Sequence, residues 1–553
     1  MNATDSTEQA VVVRHFRQIL LWPLQLIAEP ACDTAQSLWE GLEQSAPDNP
    51  WRELSSEFLD GAGRFQRRHY NEFTTFLPKV QRFLYGESKN GGDNAWHSES
   101  PVRVFRRNDI ARVGVTYRRD EPRVTFDLGH VELYFFYDIQ VILLALEIFA
   151  DDLPLHTVQH TLYGFGRAYP LEWDEDGTGG HCVERVEWLD AVGEVMAVSD
   201  YEKEERYLSF VAHNRAPHIA AHWEYLLQPL VLHYPGTARR LGYRQIEYHR
   251  MPLAAYLAVD DPERLSRADF IRLGLAAAPG SSEVLPYSHC YLHGFERRFC
   301  YDRYWCPGHQ GMNTRFICTG STLLVIGSAA YPRFVDLETG ILGQFRHQYF
   351  LLFLIAHFHR AALLMFSEQL VNTLNRLDIH STDRVRQFKR GIRQILETFL
   401  RFTHRYWFHE ISDQVQAKEL FRMCAEHLDT QELYDDVREE VQGMGNYLDS
   451  DTLRRQSNSM LRLTVVTIFG MVGSITTGFL GMNLIDETRA SLGVKLIYFM
   501  LVALPSVLIT LYAVLRSRRL SDFLDALSDE RKPAKVKLRA LANVFRKQPR
   551  PLD

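Results

Sequence analysis

Residues 461–483 read LRLTVVTIFGMVGSITTGFLGMN, and this stretch decides the architecture of the 553-residue chain. After Arg462 it contains no charged side chain. A helix rises about 1.5 Å per residue, so some twenty apolar residues reach roughly 30 Å, the thickness of the hydrocarbon core of a bilayer. The sequence therefore predicts a membrane-spanning helix here.

Small and polar side chains recur along one stripe of this predicted helix. They alternate at steps of four and three residues, as in a heptad, while Leu, Val, Ile and Phe hold most other positions. The stripe comprises Met460, Thr464, Thr467, Met471, Ser474 and Gly478. A hydroxyl gains nothing from facing lipid, so the stripe is expected to line a water-filled pore or to form a packing seam between helices.

A second apolar stretch, residues 494–515, follows after a short loop. Basic residues precede the first stretch and follow the second. They are Arg454, Arg455 and Arg462 at the start of the first, and Arg516, Arg518 and Arg519 after the second. By the positive-inside rule both termini are expected in the cytoplasm and the loop on the outer face. The sequence thus predicts a multi-pass protein of the cell (inner) membrane, with the lipid bilayer as its surroundings.

Over roughly the last hundred of its 553 residues, the chain resembles the CorA superfamily of divalent-cation channels and transporters. The resemblance rests on Asn458 at the cytoplasmic mouth, the Met-containing stripe, and the triplet Gly481-Met482-Asn483 (GMN) before a short loop and a second span. It implies a homopentamer in which the first spans line the pore from Asn458 to the triplet. A second copy of the triplet, residues 311–313, has no apolar span before it and is interpreted as a coincidence.

The resemblance implies passive movement of divalent cations, and the chemistry of the triplet suits Mg²⁺. This ion sheds its water slowly, so a ring of neutral carbonyl acceptors can select it through its hydration shell. Asn483 offers one such carbonyl per subunit. Asp486 and Glu487 are expected either to concentrate cations at the outer mouth or to form an ordinary solvated loop.

Two departures from the family pattern leave the identity of the ion open. The loop after the triplet reads LIDETRASLG instead of the Met-Pro-Glu usual in magnesium transporters, and Val472 stands where many members have Pro. The alternative within the class is a transporter of Zn²⁺, Ni²⁺ or Co²⁺ that resembles the ZntB branch, with or without proton coupling. The alternative from another class is a cytoplasmic sensor or enzyme that the two spans only tether to the membrane.

The segment before the first span predicts a long stalk helix, because no proline occurs between Gln431 and Pro505. The stalk carries several carboxylates: Asp435, Asp436, Glu439, Glu440, Asp449 and Asp451. The resemblance implies that such groups bind Mg²⁺ between subunits and hold the pore shut. The simpler interpretation is the charged surface of an exposed helix.

Composition narrows the remaining function classes. A mean hydropathy of −0.23 indicates a mostly soluble chain, and a net charge of −7 argues against nucleic-acid binding. Seven scattered cysteines indicate a reducing compartment, and the first residues show no secretory signal. Phosphate-binding glycine loops, nucleophile elbows and HExxH motifs are absent from the sequence, so we expect neither an enzyme nor a resident cofactor.

The predicted fold class is an α/β cytoplasmic domain followed by a long stalk helix and two transmembrane helices per protomer, in a CorA-like homopentamer. The predicted parts are an N-terminal helical extension and linker (1–100), a cytoplasmic α/β domain (101–340), a cytoplasmic helical region (341–430), a stalk helix (431–460), two transmembrane helices with the GMN loop (461–515) and a basic cytoplasmic tail (516–553).

Three local predictions concern the region before the stalk. The periodicity of HFRQILLWPLQLIAE and NEFTTFLPKVQRFLYG predicts helices within residues 1–87. Residues 133–149 are apolar but interrupted by Asp138, Gln140 and Glu147, which favours buried strands over a span. Residues 345–366 predict a core helix and not a span, because His347, His357, His359 and Arg360 lie in or beside the apolar run.

Two further stretches could hold metal ions but fit poorly. The loop WDEDGTGGHC, residues 173–182, resembles the front of an EF-hand loop, yet Arg185 occupies the twelfth position, where calcium needs a bidentate Glu. Between His289 and Cys318 only Cys306 and His309 have the close spacing of zinc ligands. Neither calcium nor structural zinc is therefore favoured.

Overall fold

The computed structural model divides the chain into two compact units, Met1–Val441 and Gln442–Asp553. It describes residues 11–27, 42, 49–54, 66–86, 100–136, 139–175, 177–233, 241–246, 250–280, 284–309, 313–375, 377, 382–481, 491–494, 496–497, 500–501, 504–505 and 508.

A single mixed sheet organises the described part of the first unit. Its strands are β1 (Val12–Ile27), β2 (Trp51–Glu53), β3 (Val102–Arg107), β4 (Arg112–Thr116), β5 (Val124–Phe136), β6 (Val141–Pro154), β7 (Arg185–Leu189), β8 (Val195–Val198), β9 (Val231–Leu232), β10 (Gly242–Gln245), β11 (Leu253–Val259), β12 (Cys300–Tyr304), β13 (Thr314–Cys318) and β14 (Thr322–Ser328). The main path of the sheet runs β12-β13-β14-β11-β1-β6-β5-β4-β7-β8.

Helices cover the sheet and follow it along the chain. They are α1 (Arg67–Thr75), α2 (Pro78–Tyr85), α3 (Leu155–Gly164), α4 (Glu204–Asn214), α5 (Ala221–Leu227), α6 (Arg267–Leu275), α7 (His289–Leu292), α8 (Phe295–Phe299), α9 (Pro332–Val335), α10 (Ile341–Gln344), α11 (Phe350–Asn375), α12 (Thr382–Arg405), α13 (Val415–His427) and α14 (Thr430–Gly481). A 3₁₀ turn spans Pro262–Arg264, and a π-helical turn, Phe345–Tyr349, joins α10 to α11.

Strand β1 lies at the centre of the sheet and is paired along both edges. It runs antiparallel to β6, from Val12 opposite Pro154 to Gln25 opposite Val141, and antiparallel to β11 on its other side. Successive side chains of a strand point to opposite faces. Leu20 and Trp22 join the core cluster that contains Val158 of α3, whereas Arg17 and Glu147 are directed to the face where the π-helical turn lies.

The helical prediction for HFRQILLWPLQLIAE is wrong, because these residues form most of β1. Residues 18–26 are all buried, since helices cover both faces of the strand. A strand that is buried on both faces loses the alternation of polar and apolar residues, and a run of this kind resembles a buried helix. The second helical prediction in this region is confirmed by α1 and α2.

The predicted boundaries at residues 100 and 340 also need correction. Residues 11–27 belong to the same sheet as β3 to β14, and the first compact unit continues to Val441. The reason is again β1, which is the central strand of the sheet and not a separate extension. The boundary between the two units falls after Val441, within the predicted stalk.

Two predictions about apolar stretches are confirmed. Within this stretch, residues 133–136 form the end of β5 and residues 141–149 form most of β6, and residues 141–148 are all buried. Within the described residues one helical segment, Ile341–Asn375, is long and apolar enough to cross a membrane, but 83% of its most apolar window is buried. Phe358 of α11 stacks on Phe136 of β5 with ring centroids 3.8 Å apart, as expected of a core helix.

A fully buried carboxylate fixes the π-helical turn to the sheet. Glu147 of β6 is 0% exposed. Arg346 donates two hydrogen bonds of 2.8 Å to its two carboxylate oxygens, and Arg17 donates a third of 3.1 Å. His130 Nδ1 lies 2.9 Å from Oε2. Three potential cations therefore surround one anion, which is how a charge can remain buried at tolerable cost.

The backbone of β5 makes room for this carboxylate at Gly129. The register between β5 and β6 shifts between Leu128 and His130, where Gly129 forms an irregularity in the pairing. A Cβ atom at Gly129 would collide with the carboxylate of Glu147. The glycine and the bulge thus allow His130 and Glu147 to meet on one face of the sheet.

We predict that Glu147→Gln lowers the free energy of unfolding of the first unit by about 3–5 kcal/mol, because it leaves buried cationic groups without their anion. The nine tryptophans of the chain all lie between residues 22 and 407, so their fluorescence during denaturant unfolding reports on this unit.

Asp260→Asn is the matched control for this substitution. Asp260 accepts two hydrogen bonds from Arg14, of 2.7 and 2.9 Å, but the two side chains are 55% and 44% exposed. Water screens this pair, so its loss should destabilise the unit far less. Equal losses in the two variants would contradict a dominant role for Glu147.

His130 should make the stability of the first unit depend on pH. Burial is the largest influence and lowers its pKa, but the charges of Glu132 and Glu147 outweigh it and raise the pKa above the ordinary value. The stability it contributes is fully present below the unfolded pKa of about 6.5 and is lost as pH rises through the folded pKa. We predict that the unfolding free energy falls less between pH 6 and pH 9 in His130→Gln than in the unaltered chain. An equal fall in the two proteins would contradict the assignment of this pH dependence to His130.

Candidate functional site

Helix α14 carries the stripe that the sequence singled out, and it runs without interruption from Thr430 to Gly481. On a helix of 3.6 residues per turn, positions 460, 464, 467, 471, 474 and 478 fall within an arc of about 80° and extend over about 27 Å. Gly481, the first residue of the GMN triplet, is the last residue of this helix within the described part of the chain. The structure therefore aligns these six positions along one face that leads towards the triplet.

The side chains of this helix segment are largely exposed in the single chain. Met460 is 73% and Met471 is 64% exposed. Apolar residues away from the stripe are exposed as well, since Leu463 is 68% and Ile468 is 51% exposed. Ser459–Met471 is a further, shorter apolar helical segment in the part of the chain that the structure describes.

The hydroxyl groups of the two threonines on the stripe donate to the helix itself. Thr464 Oγ1 donates to the carbonyl of Met460 at 2.9 Å, and Thr467 Oγ1 donates to that of Leu463 at 2.8 Å. Each hydroxyl proton is thereby used, while the lone pairs of the oxygen remain available. The two exposed oxygens can therefore act as hydrogen-bond acceptors.

Several residues predicted for the pore lie outside the described part of the chain. These are Met482, Asn483, Asp486 and Glu487, together with the side chain of Asn458. The second predicted span, residues 494–515, is described only at scattered positions. The roles predicted for these residues stay predictions.

The stalk carboxylates do not form a metal site within the described residues of one chain. Asp435, Asp436 and Asp449 are exposed, and Asp435 accepts a hydrogen bond of 3.1 Å from Gln431. The side chain of Asp451 lies outside the described set. None of these residues belongs to the group of three potential ligands that the described residues contain.

That group lies in the first unit and consists of His69, Glu72 and His347. His69 and Glu72 are one helical turn apart on α1, whereas His347 follows Arg346 in the π-helical turn. His347 Nδ1 lies 3.2 Å from Glu72 Oε2, and His69 Nδ1 lies 3.9 Å from Glu72 Oε1. The two imidazole rings face each other edge to face, with centroids 5.6 Å apart.

Glu72 is held as a carboxylate in this cluster. Burial is the largest influence and opposes its ionisation, but the neighbouring imidazoles of His347 and His69 outweigh burial and lower its pKa to about 2. The hydroxyl of Tyr85, at the end of α2, also donates to Glu72. Burial, reinforced by the neighbouring carboxylate, raises the pKa of Tyr85 far above its ordinary value, so Tyr85 remains a donor.

A polar cavity of about 410 Å³ adjoins the cluster, and His347 forms part of its wall. The remaining wall is rich in amide and hydroxyl groups, including those of Asn71, Thr74, Gln344, Gln414 and Gln416. The side chains of His69 and His347 are 12% and 22% exposed, whereas that of Glu72 is 8% exposed. A small polar solute in the cavity can therefore approach His347 while the carboxylate of Glu72 stays covered.

The other metal-binding stretches considered from the sequence contribute no such group among the described residues. In the loop 173–182, Asp176 lies outside the described set, and Trp173 pairs with Gly179 across a short bridge. In the Cys/His region, Cys318 is buried and its Sγ lies 3.3 Å from that of Cys424. The cysteines that the structure describes are free.

Sequence reasoning missed His69, Glu72 and His347. Their weak local signal is the HYNE tetrapeptide, residues 69–72, because His and Glu three residues apart share one face of a helix. Nothing in the local sequence links this pair to His347. That residue lies far along the chain and comes close to the pair only when the folded sheet holds the π-helical turn in place.

Comparisons of the chain with models of known protein families, with curated proteins and with solved structures found no match.

Proposed function

We propose that the protein is a CorA-type passive transporter of divalent cations, with Mg²⁺ as the favoured ion, and that it selects the hydrated ion at a ring of Asn483 side chains. The observation that carries this proposal is the uninterrupted α14, which aligns Met460, Thr464, Thr467, Met471, Ser474 and Gly478 on one face and is described as far as Gly481, the first residue of the GMN triplet.

The hydrogen bonds of the stripe suit a hydrated cation. The waters around Mg²⁺ direct their hydrogens outward and act as donors, so a lining that favours the hydrated ion needs acceptors. Thr464 and Thr467 have already used their protons on backbone carbonyls. Their oxygens can therefore accept hydrogen bonds from hydration water without competing as donors.

The exposed apolar surface of α14 supports a membrane environment. An isolated helix with Leu463, Ile468 and Met471 more than half exposed would be unfavourable in water. Lipid and further copies of the helix would cover this surface. Several copies are also required because one or two spans cannot enclose a path for water, and the family resemblance suggests five.

Transport in this proposal needs no nucleotide hydrolysis. A membrane potential of about 100 mV contributes roughly 2.3 kcal/mol per elementary charge, and therefore about 4.6 kcal/mol for a divalent cation. Neutral acceptors along the stripe bind the ion weakly, which permits rapid release. Met460 and Met471 add flexible apolar side chains that can close the path by excluding water.

We predict that Asn483→Ala abolishes uptake of divalent cations into proteoliposomes that contain the purified chain, because it removes the ring of carbonyl acceptors. Thr467→Leu should reduce uptake at least about tenfold, because each subunit would replace an acceptor by an apolar group that disfavours water in the pore. The readout is the rate of Mg²⁺ entry, measured with an indicator enclosed in the vesicles.

Thr477→Leu is the matched control, since Thr477 makes the same kind of bond to the carbonyl of Gly473, at 3.0 Å, but lies about 100° from the centre of the stripe. Uptake that survives both Asn483→Ala and Thr467→Leu would contradict the proposal and favour a tethered sensor.

Parallel measurement of Zn²⁺, Ni²⁺ and Co²⁺ uptake tests the choice of ion. A purified particle without rotational symmetry would contradict the proposed assembly.

A further inference from the structure

The cluster on α1 and the π-helical turn has the composition of a transition-metal site. Two imidazoles and one carboxylate are the protein ligands found in three-ligand zinc sites, which keep a fourth position open. The ligand atoms of His69, Glu72 and His347 all lie within 4.8 Å of one another. These three residues play no part in the proposed pore, so the site can be considered independently.

The ligand atoms of the cluster are close enough for side-chain adjustments to bring them around one tetrahedral ion. Zn²⁺ holds nitrogen and oxygen ligands at about 2.0–2.2 Å, so ligand atoms at neighbouring corners of a tetrahedron lie about 3.4 Å apart. The separations between nitrogen and oxygen in the cluster are 3.2 Å for His347 and 3.9 Å for His69. The two distances end on different oxygens of Glu72, and the ligand atoms lie within 4.8 Å of one another, so side-chain shifts of up to about 1.4 Å would bring them to the corners of one tetrahedron.

We propose that His69, Glu72 and His347 bind a divalent transition-metal ion of the Zn²⁺ and Co²⁺ class in the first unit of the protein.

Neighbouring contacts hold the three ligands in place. Tyr85 donates to Glu72 and thereby fixes the orientation of the carboxylate, as an outer partner does in established metal sites. Arg346, the residue before His347, is clamped to the buried Glu147 by two bonds of 2.8 Å. On the other side, Leu77 after α1 donates to the carbonyl of Ile411 at 2.9 Å. Both ligand-bearing elements are thus anchored independently of any ion.

The cavity provides the route of entry and the space for a fourth ligand. His347 lines this cavity of about 410 Å³, and its side chain is 22% exposed. Water in the cavity can reach the imidazole of His347 and from there occupy the open coordination position. The bound ion would then link α1 to the π-helical turn.

The same chemistry excludes Mg²⁺ as the preferred ion of this site. Mg²⁺ takes oxygen ligands in octahedral geometry and keeps most of its water, whereas imidazole suits Zn²⁺, Co²⁺ and Ni²⁺. The site should therefore prefer Zn²⁺ and Co²⁺ to Mg²⁺, whereas the proposed ring of Asn483 amide carbonyls favours Mg²⁺. An excess of Mg²⁺ should leave its occupancy unchanged.

The test is titration of the full-length chain in detergent with Co²⁺, whose intense visible absorption marks tetrahedral coordination. We expect one such Co²⁺ per chain, displaced by Zn²⁺ and not by Mg²⁺. Loss of an outer-shell partner lowers metal affinity by about 10- to 100-fold, and Tyr85→Phe should lower the affinity for Co²⁺ by an amount in this range. Glu72→Gln and His347→Gln each remove a ligand and should lower the affinity by more than that.

Two controls separate this site from the pore and from general surface binding. His15→Gln removes another histidine beside a carboxylate, since His15 Nδ1 lies 2.8 Å from Asp151, but this exposed pair has no third ligand. Asn483→Ala removes the proposed selectivity ring. Both variants should bind Co²⁺ as the unaltered chain does, and loss of binding in Asn483→Ala alone would assign the ion to the pore and overturn the inference.

X-ray absorption of the unaltered chain with one equivalent of Zn²⁺ gives a second readout that does not depend on whether a variant folds. Two imidazole ligands with one or two light oxygen ligands are expected. A shell of oxygen atoms alone, or Co²⁺ spectra that persist in both Glu72→Gln and His347→Gln, would overturn the proposal.

Discussion

The first unit depends on keeping an anion inside a hydrophobic sheet. Glu147 has no exposed surface, so it stays ionised only because Arg346, Arg17 and His130 lie against its carboxylate. These partners come from β1, β5 and the π-helical turn, whereas Glu147 belongs to β6. One interaction therefore determines how three strands and the start of the long core helix are placed. Replacing the carboxylate disturbs all four elements together.

The π-helical turn connects the ion pair at Glu147 to a second carboxylate, that of Glu72. Consecutive residues on a helix point about 100° apart, so Arg346 and His347 can reach two different carboxylates from adjacent positions. Arg346 binds Glu147 on the sheet, and His347 approaches Glu72 on α1. An extra residue in a helical turn is frequently found at functional sites, where it redirects a side chain. Here the turn connects the buried ion pair directly to the cluster that we propose as a metal site.

The two proposed ion sites rely on different chemistry. The stripe on α14 offers neutral oxygen acceptors on an exposed helix, which suits an ion that keeps its water. The cluster in the first unit offers nitrogen ligands and a covered carboxylate, which suits an ion that gives up most of its water. A chain that carries both can bind one ion in its first unit while it conducts another.

Local patterns in the sequence predicted some elements well and others poorly, for identifiable physical reasons. The end of β5 and most of β6 were recognisable because β-branched and aromatic residues are interrupted by Asp138, Gln140 and Glu147. Helix α14 was recognisable from its lack of proline and from its heptad stripe. Strand β1 was mistaken for a helix because it is buried on both faces, and His347 could not be linked to α1 because their contact depends on the folded sheet.

The central position of β1 also has a consequence for biosynthesis. Val13 pairs with Leu153 and with Val259, so β1 leaves the ribosome before both of its neighbours. At translation rates of about 5–20 residues per second, the second neighbour emerges roughly 10–50 s later. Until then at least one edge of the apolar strand β1 stays unpaired, and an exposed edge of this kind favours chaperone binding or aggregation. The yield of this protein in a cell should therefore depend strongly on how fast it is translated and on the holdase capacity available.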